Sequence, residues 1–326
     1  MNTLERISQL IDPELTRLRE QIEAQLHTDN QLMQQVILNY LKSKGKLIRP
    51  ILVILSARLI GTVNDNVISA AAAVELLHNA SLIHDDVVDT SSTRRGRPTI
   101  NAVWDNHIAV LVGDFFVSSS MQQAISTGDV RIIDALCHLG KLLSIGELDQ
   151  IYNARYHNIS QDAYIRTINY KTASLFVACS RMGCYASGAD DNHTEALARF
   201  TEYLGLCFQI RDDIFDYFPG TDNIIGKPIC NDLREGKITL PLIHVLLDKS
   251  LPDNEAMTIL ANKEQLSEQE IMDLNAYAVN NGGIDYAYQF MSEMRTRAVR
   301  ELAIFPDSPN RQALIDLFDY IIERRF

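Results

Sequence analysis

The sequence predicts an all-α protein, on three observations. Apolar residues recur at helical spacing along most of the 326 residues, and the alternation typical of strands is absent over any useful length. No proline occurs between Pro98 and Pro219, so little interrupts the helices there. Repeats, low-complexity tracts and flexible linkers that would mark a domain boundary are lacking. We therefore expect a single domain over residues 1–326.

Helical periodicity and capping residues place the individual helices. The predicted helices cover residues 3–26, 30–43, 48–60, 65–92, 101–126, 129–153, 160–187, 192–217, 237–248, 254–261, 267–280, 284–303 and 308–323. Residues 219–236 form the one long segment without a helical pattern. Long loops inside compact domains are usually functional, so we expect this segment to contribute to function.

The composition indicates a cytoplasmic protein without a transmembrane segment. A net charge of −12 argues against a nucleic-acid partner and against a basic membrane patch. The five cysteines form no C-x-x-C pair and are interpreted as reduced thiols. No stretch approaches the roughly 20 uninterrupted apolar residues that a spanning helix needs. The first residues include acidic side chains and lack the apolar core of a signal peptide.

Two predicted helices carry dense clusters of aspartates. The clusters consist of Asp85, Asp86 and Asp89, and of Asp212, Asp213 and Asp216. Both helices are otherwise largely apolar before their clusters. Like charges repel, and removing carboxylates from water is costly, so bare clusters on buried helices are unfavourable. The pattern therefore predicts a bound cation, and clusters of hard oxygen ligands favour Mg²⁺ or Mn²⁺.

Basic residues near the clusters predict a phosphorylated ligand. They are Lys46, Arg49, Arg94, Arg95, Lys171, Lys227 and Lys237. Mg²⁺ usually binds one or two carboxylates together with substrate phosphates. Arginines and lysines beside aspartates, in an acidic chain, are typical of phosphate-binding sites. There are enough of them to bind two separate diphosphates.

Motifs of other enzyme classes are missing from the sequence. It contains no G-x-S-x-G, no Walker loop, no strand followed by G-x-G-x-x-G and no H-E-x-x-H. The remaining chemistry is metal-assisted departure of diphosphate, in which Mg²⁺ neutralises the charge of the leaving group. The apolar turns that precede Asp85 would line a dry cavity that keeps water from a carbocation.

At these motifs the sequence resembles the trans-isoprenyl diphosphate synthase family, of the medium- and long-chain (polyprenyl) type. The resemblance covers most of the chain. It rests on G-K-x-x-R-P (45–50), E-L-L-H-x-A-S-L-I-H-D-D-V-V-D (75–89), R-R-G-R-P-T (94–99), V-G-D (112–114), G-E (146–147), K-T-A-S-L-F (171–176), F-Q-I-R-D-D-I-F-D (208–216), G-K-P (226–228) and D-L-R-E-G-K-I-T-L-P (232–241). One D-D-x-x-D alone is weak evidence, whereas both in order with the basic motifs are highly specific.

The resemblance implies the fold, the reaction and the partners. The fold would consist of mostly antiparallel helices around a deep central cavity. The reaction would be head-to-tail condensation of isopentenyl diphosphate onto an allylic diphosphate such as farnesyl or geranylgeranyl diphosphate, with two to three Mg²⁺ ions or Mn²⁺ in their place. The resemblance also implies a homodimer, with residues 101–153 as a plausible interface, and a cytoplasmic enzyme loosely associated with membranes through its lipid product.

The resemblance also assigns roles to residues. Lys46, Arg49, His78 and Arg95 would bind isopentenyl diphosphate. Arg94, Lys171, Thr172, Gln209, Lys227 and Lys237 would bind the allylic diphosphate. Asp85, Asp89 and Asp212, supported by Asp86, Asp213 and Asp216, would bind Mg²⁺. Catalysis would depend most on Asp85, Asp89, Asp212, Lys171 and Arg94.

Small residues one turn before the first cluster predict a long product. Ser81 and Ala80 leave the cavity wall open, with Leu77 beneath them, whereas an aromatic residue would close it. Phe115 and Phe116 are candidates for the cavity floor, although general core packing is the favoured interpretation of these two residues. We expect a product of C20 or longer, with C30–C50 favoured by the resemblance.

Simpler interpretations and rival functions remain open at this point. Each aspartate cluster could be a solvated helix end, and His78 could be an ordinary core histidine. Leu47 and Cys230 stand where many members have a basic residue and a glycine. One rival is a class I terpene cyclase, which needs only one diphosphate site. The other is a non-catalytic subunit of a heteromeric prenyl synthase, which would have lost aspartates or basic residues that this chain keeps.

Overall fold

The computed structural model describes residues 3–42, 45–94, 96–218 and 229–323. Within them the elements are α1 (Thr3–Leu10), α2 (Asp12–Gln25), α3 (Gln31–Leu41), α4 (Ile48–Ile60), α5 (Asp65–Val88), β1 (Thr93–Arg94), β2 (Arg97–Pro98), α6 (Ile100–Val103), α7 (Asn106–Ser126), α8 (Val130–Arg155), α9 (Gln161–Ile168), a π-helix (Asn169–Ala173), α10 (Ser174–Ser187), α11 (Asp191–Asp216), α12 (Asn231–Arg234), α13 (Leu240–Leu247), α14 (Asn254–Ala261), α15 (Glu268–Asn280), α16 (Gly283–Glu301), a 3₁₀ turn (Leu302–Ile304) and α17 (Pro309–Glu323). The predicted all-α class is confirmed.

The chain divides into two compact units, each made of separate segments. Unit 1 comprises Met1–Gly140, Leu175–Arg199 and Leu302–Leu317, and unit 2 comprises Lys141–Ser174, Phe200–Glu301 and Phe318–Phe326. The predicted single domain over residues 1–326 stays a prediction.

Helix α5 is the centre of unit 1. It packs along α7 and also against α2 and α4, and its residues from Val67 to Val74 are all buried. Among the described helices, α5 and α7 are long and apolar enough to pass a composition test for membrane spans. However, 67% of the apolar window of α5 is buried inside the protein. Such burial is typical of the core helix of a globular protein, so the length and composition of α5 are only weak evidence for a membrane-spanning helix.

Helix α13 is the central helix of unit 2. It packs against α9, α15 and α16, and Leu240, Leu242 and Ile243 are fully buried. Pro241 lies in its first turn, where a missing N–H breaks no hydrogen bond.

Several predicted helices are shorter than expected or interrupted. The predicted helix 3–26 breaks at Ile11, because a new helix begins at Asp12 with Pro13 in its first turn. The predicted helix 101–126 breaks before Asp105, whose side chain accepts a hydrogen bond from the N–H of Ile108 at 2.8 Å and so caps α7. The predicted helix 65–92 ends at Val88, and Thr90 adopts a left-handed conformation with φ of 50°.

Two further predictions are corrected at positions close to the expected site. The predicted helix 160–187 is interrupted by the π-helix Asn169–Ala173, because helical periodicity cannot detect a single widened turn. The predicted loop 219–236 contains α12, which is helical at Asn231–Arg234. Residues 219–228 of that loop lie outside the described residues.

Candidate active site

The first aspartate cluster lies at the C-terminal end of α5. Asp85 is partly exposed and Asp89 is exposed, one turn apart on the same face of the helix. Asp86 is buried and lies about 100° around the helix. Its Oδ1 accepts a hydrogen bond from Nε of Arg94 at 2.7 Å. Two carboxylates of this cluster therefore share one face, and the third holds an arginine.

A short hairpin follows the cluster and carries that arginine. Strands β1 and β2 pair antiparallel, with Arg94 opposite Arg97. Gly96 in the connecting turn has φ of 71°, which favours glycine. Thr99 Oγ1 donates to the carbonyl of Ser91 at 2.8 Å, which fixes the base of the hairpin. Arg95, expected to bind isopentenyl diphosphate, lies outside the described residues.

His84, next to Asp85, fits against a glycine of α7. A Cβ at Gly113 would stand 2.2 Å from Nε2 of His84, so that position has no room for a side chain while His84 keeps this rotamer. Nε2 also lies 3.3 Å from the carbonyl oxygen of Val110 and 3.5 Å from Oδ1 of Asp114. The V-G-D motif of the sequence thus provides the space and the polar partners for the histidine of H-D-D.

The described residues expected to bind isopentenyl diphosphate belong to unit 1. Lys46 is exposed in the segment before α4, and Arg49 lies in the first turn of α4. The guanidinium carbon of Arg49 is 5.8 Å from the ring centre of Phe176, a cation–π distance. His78 is buried, with 7% exposure. Leu47 between the two basic residues has φ of 52°, a strained conformation of the kind that clusters at binding sites.

The second cluster, on α11 in unit 2, is organised around the buried Asp213. The hydroxyl of Tyr164 donates to its Oδ2 at 2.5 Å, and Nε2 of Gln209 donates to its Oδ1 at 2.8 Å. Thr172 in turn donates to Oε1 of Gln209 at 2.7 Å. Burial raises the pKa of the Asp213 carboxyl, against the lowering effect of the two hydrogen bonds it accepts. A continuous hydrogen-bond chain therefore joins the K-T motif to the second D-D-x-x-D.

Asp216, the last residue of α11, completes the same cluster. Its two carboxylate oxygens accept hydrogen bonds from the backbone N–H groups of Asn231 and Asp232, at 3.0 Å each. These contacts anchor the start of α12, because the first N–H groups of a helix need outside acceptors. Burial raises the pKa of Asp232, and the charges of Asp213 and Asp216 raise it further. Asp212 is partly exposed.

The basic side chains that are expected to bind the allylic diphosphate, among the described residues, form ion pairs with carboxylates. Nζ of Lys171 lies 2.5 Å from Oε2 of Glu147, and Lys237 forms an ion pair with Glu235. The backbone of Lys171 also passes close to α8, since a Cβ at Gly146 would stand 2.6 Å from its nitrogen. With the contact between Arg94 and Asp86, each of these three cations has an acidic partner. Lys227 lies outside the described residues.

The described donors fit a metal that completes its coordination with substrate. Within the described ranges, no three His, Cys, Asp or Glu side chains are grouped as a ready-made metal cage. In unit 1, Asp85 and Asp89 nevertheless present carboxylates on one face of α5, and in unit 2 Asp212 is partly exposed. Mg²⁺ typically uses one or two carboxylates, waters and phosphate oxygens, so each cluster by itself offers donors that suit it.

The residues expected to set product length occupy different environments. Leu77 and Ser81 are partly exposed on α5, and the hydroxyl of Ser81 donates to the carbonyl of His78 at 2.9 Å. Ala80 and Phe116 are instead buried in one apolar cluster of unit 1, and Phe115 packs against it. The surroundings of Leu77 and Ser81 suit a cavity wall, whereas those of Ala80 and Phe116 suit core packing.

Sequence reasoning missed three residues of the site. Tyr164 lies in no motif that the sequence singled out, and its role emerges only from its contact with Asp213. Glu147 belongs to the G-E motif and Asp232 to D-L-R-E-G-K. The sequence motifs include these two residues but do not predict their contacts with Lys171 and Asp216. Each of these contacts joins residues far apart in the chain, which local patterns cannot reveal.

An all-α fold in which two helices end in aspartate clusters, with basic side chains beside them, defines the class of isoprenoid synthases. The chain belongs to the polyprenyl synthetase family, whose sequence model matches residues 30–280.

Individual relatives match nearly the whole chain. Octaprenyl diphosphate synthase of Haemophilus influenzae is 35% identical over 325 residues, which cover 99% of this chain and 98% of that protein. A decaprenyl diphosphate synthase from Rhodobacter capsulatus has a similar crystal structure, with a TM-score of 0.89, 33% identity and 98% of both chains covered. A polyprenyl synthase from Caulobacter crescentus, complexed with calcium and isoprenyl diphosphate, also has a TM-score of 0.89, with 31% identity over 99% of this chain and 98% of that one.

Proposed function

We propose that the protein is an all-trans polyprenyl diphosphate synthase. It condenses isopentenyl diphosphate head-to-tail onto an allylic diphosphate and releases diphosphate, with a product between C30 and C50. Support comes from the full-length match to octaprenyl and decaprenyl diphosphate synthases. The observation that carries the proposal is the hydrogen-bond chain from Thr172 through Gln209 to Asp213, because it ties a diphosphate-binding motif to an acidic cluster.

The basic side chains bind and orient the two substrates. Arg94, Lys171 and Lys237 bind the allylic diphosphate. Its phosphate oxygens replace the carboxylates with which these three side chains form ion pairs in the absence of substrate. Lys46 and Arg49 bind the diphosphate of isopentenyl diphosphate. Charge-assisted hydrogen bonds of this kind are roughly twice as strong as neutral ones, so they fix the position of each diphosphate. Orientation of both substrates then replaces a bimolecular encounter by a reaction within one complex.

Asp85, Asp89 and Asp212 hold Mg²⁺ together with the allylic diphosphate. When bound, the metal neutralises the negative charge that the leaving diphosphate acquires. Asp213 and Asp216 support Asp212 through their hydrogen bonds, and Asp86 supports Arg94. Tyr164 and Gln209 keep the Asp213 carboxylate in one orientation. The apolar side chains of α5 before Asp85 exclude water from the allylic carbon.

Retention of both acidic clusters separates this proposal from its rivals. A cyclase would need only one diphosphate site, and a non-catalytic subunit would not need all of the metal-binding aspartates. This chain keeps six aspartates at the two clusters and the basic residues of both substrate sites. The synthase is therefore the function that uses all of them.

We also propose that the enzyme is a cytoplasmic homodimer. Helix α8 exposes apolar side chains at Ile145, Leu148, Ile151 and Tyr152, and the exposed Tyr156 follows directly after the helix. Ile145, Leu148 and Ile151 are spaced by three residues, and Leu148 and Tyr152 by four, so they form one apolar stripe on the helix. A stripe of this kind suits the same helix of a second copy.

One assay tests the activity. The purified protein is incubated with Mg²⁺, labelled isopentenyl diphosphate and farnesyl or geranylgeranyl diphosphate, and the products are sized. We expect a ladder that ends between C30 and C50 and disappears when the metal is chelated. Absence of elongation with either primer would reject the synthase, and release of a cyclic hydrocarbon from the primer alone would indicate a cyclase.

A further inference from the structure

Unit 1 contains a cavity of about 300 Å³ that borders the proposed active site at Asp86 and Arg94. Its walls come from α3, α5, the hairpin and α6, and include Asn39, Asn79, Leu82, Arg94, Arg97 and Trp104. A volume near 300 Å³ is at the lower end of the range for small-molecule sites. The cavity is therefore large enough for a compact ligand and too small for a polyprenyl chain.

The cavity lies beside the metal-binding face of α5. The helix contributes Asn79, Leu82 and Asp86, which are spaced by three and four residues and so share one face. Asp85 and Asp89 lie on the neighbouring face of the helix. A ligand in the cavity would thus lie against Asp86, beside the face that carries Asp85 and Asp89.

The charge of the cavity favours a monoanion. Arg94 and Arg97 are directly opposite each other across the hairpin, where side chains are about 5 Å apart and like charges are destabilising. The carboxylate of Asp86 neutralises the charge of Arg94 through their ion pair. Arg97 is exposed and forms no ion pair with any described residue. Among the described lining residues, two guanidinium groups and one carboxylate leave one positive charge facing the cavity.

The remaining walls suit a flat apolar body. Trp104 and Leu82 line the cavity, and Val103 beside them is 47% exposed. Asn79 is held in place by the hydroxyl of Tyr40, which donates to its Oδ1 at 2.8 Å. A planar ring can pack against the indole, while its anionic group is bound by Arg97.

We propose that this cavity binds a small aromatic carboxylate. The carboxylate accepts hydrogen bonds from Arg97, and the ring packs against Trp104 and Leu82. Because Arg94 lines the same cavity, a bound carboxylate attracts its guanidinium away from the allylic diphosphate. The ligand therefore weakens binding of the allylic substrate, a consequence that rests on the function proposed above.

Trp104 provides a direct measurement, since it is the only tryptophan of the chain. The full-length protein without Mg²⁺ is titrated with benzoate, and with neutral benzamide as a probe of equal shape. We expect a saturable change in tryptophan emission with benzoate and a response at least about tenfold weaker with benzamide. A response that fails to saturate, or equal responses to the two probes, would overturn the proposal.

The variant Arg97→Gln tests the assigned contact. Its side chain is exposed, so the fold should tolerate the change, and the apparent Kd for benzoate should rise at least about tenfold. Arg297→Gln, which removes an exposed arginine of α16, should leave the Kd unchanged. Equal Kd values for Arg97→Gln and the wild type would refute the site.

A kinetic measurement tests the coupling separately. Benzoate should raise the KM for the allylic diphosphate without changing kcat, and Arg97→Gln should suppress this effect. An unchanged KM at saturating benzoate would reject the coupling through Arg94. The binding titration needs no catalysis, so failure of the proposed enzymatic function would leave its result intact.

Discussion

The hydroxyl of Tyr164 lies 2.5 Å from Oδ2 of Asp213 in a buried contact, although 49 positions separate the two residues in the chain. Together with Gln209, this hydroxyl fixes both oxygens of the carboxylate. The neighbouring residue, Asp212, is the accessible carboxylate of the second cluster. We therefore expect the orientation of the buried Asp213 to determine how the partly exposed Asp212 can face a metal ion.

We expect Tyr164→Phe to lower activity without unfolding the protein. A hydrogen bond to a charged group contributes about 1.5–3 kcal/mol, so kcat/KM should fall about tenfold or more, with a higher Mg²⁺ requirement. The measurement is a Mg²⁺ titration of the elongation rate. Tyr277→Phe removes a tyrosine hydrogen bond to the carbonyl of Pro252 elsewhere in unit 2 and serves as control. Equal Mg²⁺ curves for the two variants would show that Tyr164 does not position the cluster.

Neutralising an accessible aspartate should separate activity from stability. Asp85→Asn and Asp212→Asn should each reduce elongation at least about 100-fold, since even indirect supports of a metal site cost 10–100-fold. The thermal midpoint of the metal-free protein should stay equal or rise, because repulsion within each cluster decreases. Asp285→Asn, at an exposed position of α16, is the matched control. A lower midpoint in Asp85→Asn, with activity kept, would contradict the metal-binding role.

A bulky side chain at Ser81 should shorten the product. Ser81 is partly exposed on α5, so a phenylalanine there would project into the space expected for the growing chain. We expect Ser81→Phe to end elongation at about C15, whereas Ser81→Ala keeps the wild-type length. Products are sized by chromatography after dephosphorylation. Ala80→Phe is a poorer test, because Ala80 is fully buried and overpacking typically costs about 1–3 kcal/mol. An unchanged distribution in Ser81→Phe would eliminate Ser81 as a length determinant.

His244 should make the protein sensitive to acid. Its ring stacks on Tyr286 with ring centres 3.8 Å apart, and burial lowers its pKa from the ordinary value of 6.5. The unfolded chain then binds the proton more tightly than the folded one, so this contribution to stability is present above pH 6.5 and is lost as the pH falls below it. We expect His244→Phe to reduce the fall in Tm between about pH 7.5 and pH 5.5.

The control for this titration is a histidine in an exposed place. His27→Gln, at an exposed position two residues after α2, removes an imidazole without touching the stack of His244 on Tyr286 and serves as the control. If His27→Gln and His244→Phe both follow the wild type, the acid sensitivity arises elsewhere.

A charge in the apolar stripe of α8 should disrupt the proposed dimer. Leu148 is 66% exposed, and burying a glutamate there between two copies would be unfavourable. Leu148→Glu should therefore shift the mass in solution, measured by light scattering, from two copies towards one. Ile259→Glu introduces the same charge at an apolar residue of α14 that is 63% exposed, and should leave the mass unchanged. A wild type that is already a single copy would reject the homodimer.

The helices could be predicted from the sequence because burial of one face leaves a periodic pattern. The interruptions could not, since the break at Ile11 and the π-helix around Lys171 each involve a single turn. Both aspartate clusters could be predicted as functional from the sequence, because charged residues on apolar helices are unfavourable unless a bound cation compensates them. The different roles of the aspartates within each cluster could not be predicted. Asp86 accepts a hydrogen bond from Arg94 and Asp213 accepts one from Tyr164, and both contacts join residues that local sequence patterns do not connect.

The close approach of Gly146 to Lys171 has a consequence for the evolution of the gene. Every missense change in the codon for residue 146 adds a Cβ, and that atom would meet the backbone nitrogen of Lys171 at 2.6 Å. Backbone cannot rotate aside as a side chain can, so the π-helix itself would have to shift. Purifying selection should consequently act on this codon as strictly as on those of the aspartates, although glycine offers no group to substrate or metal.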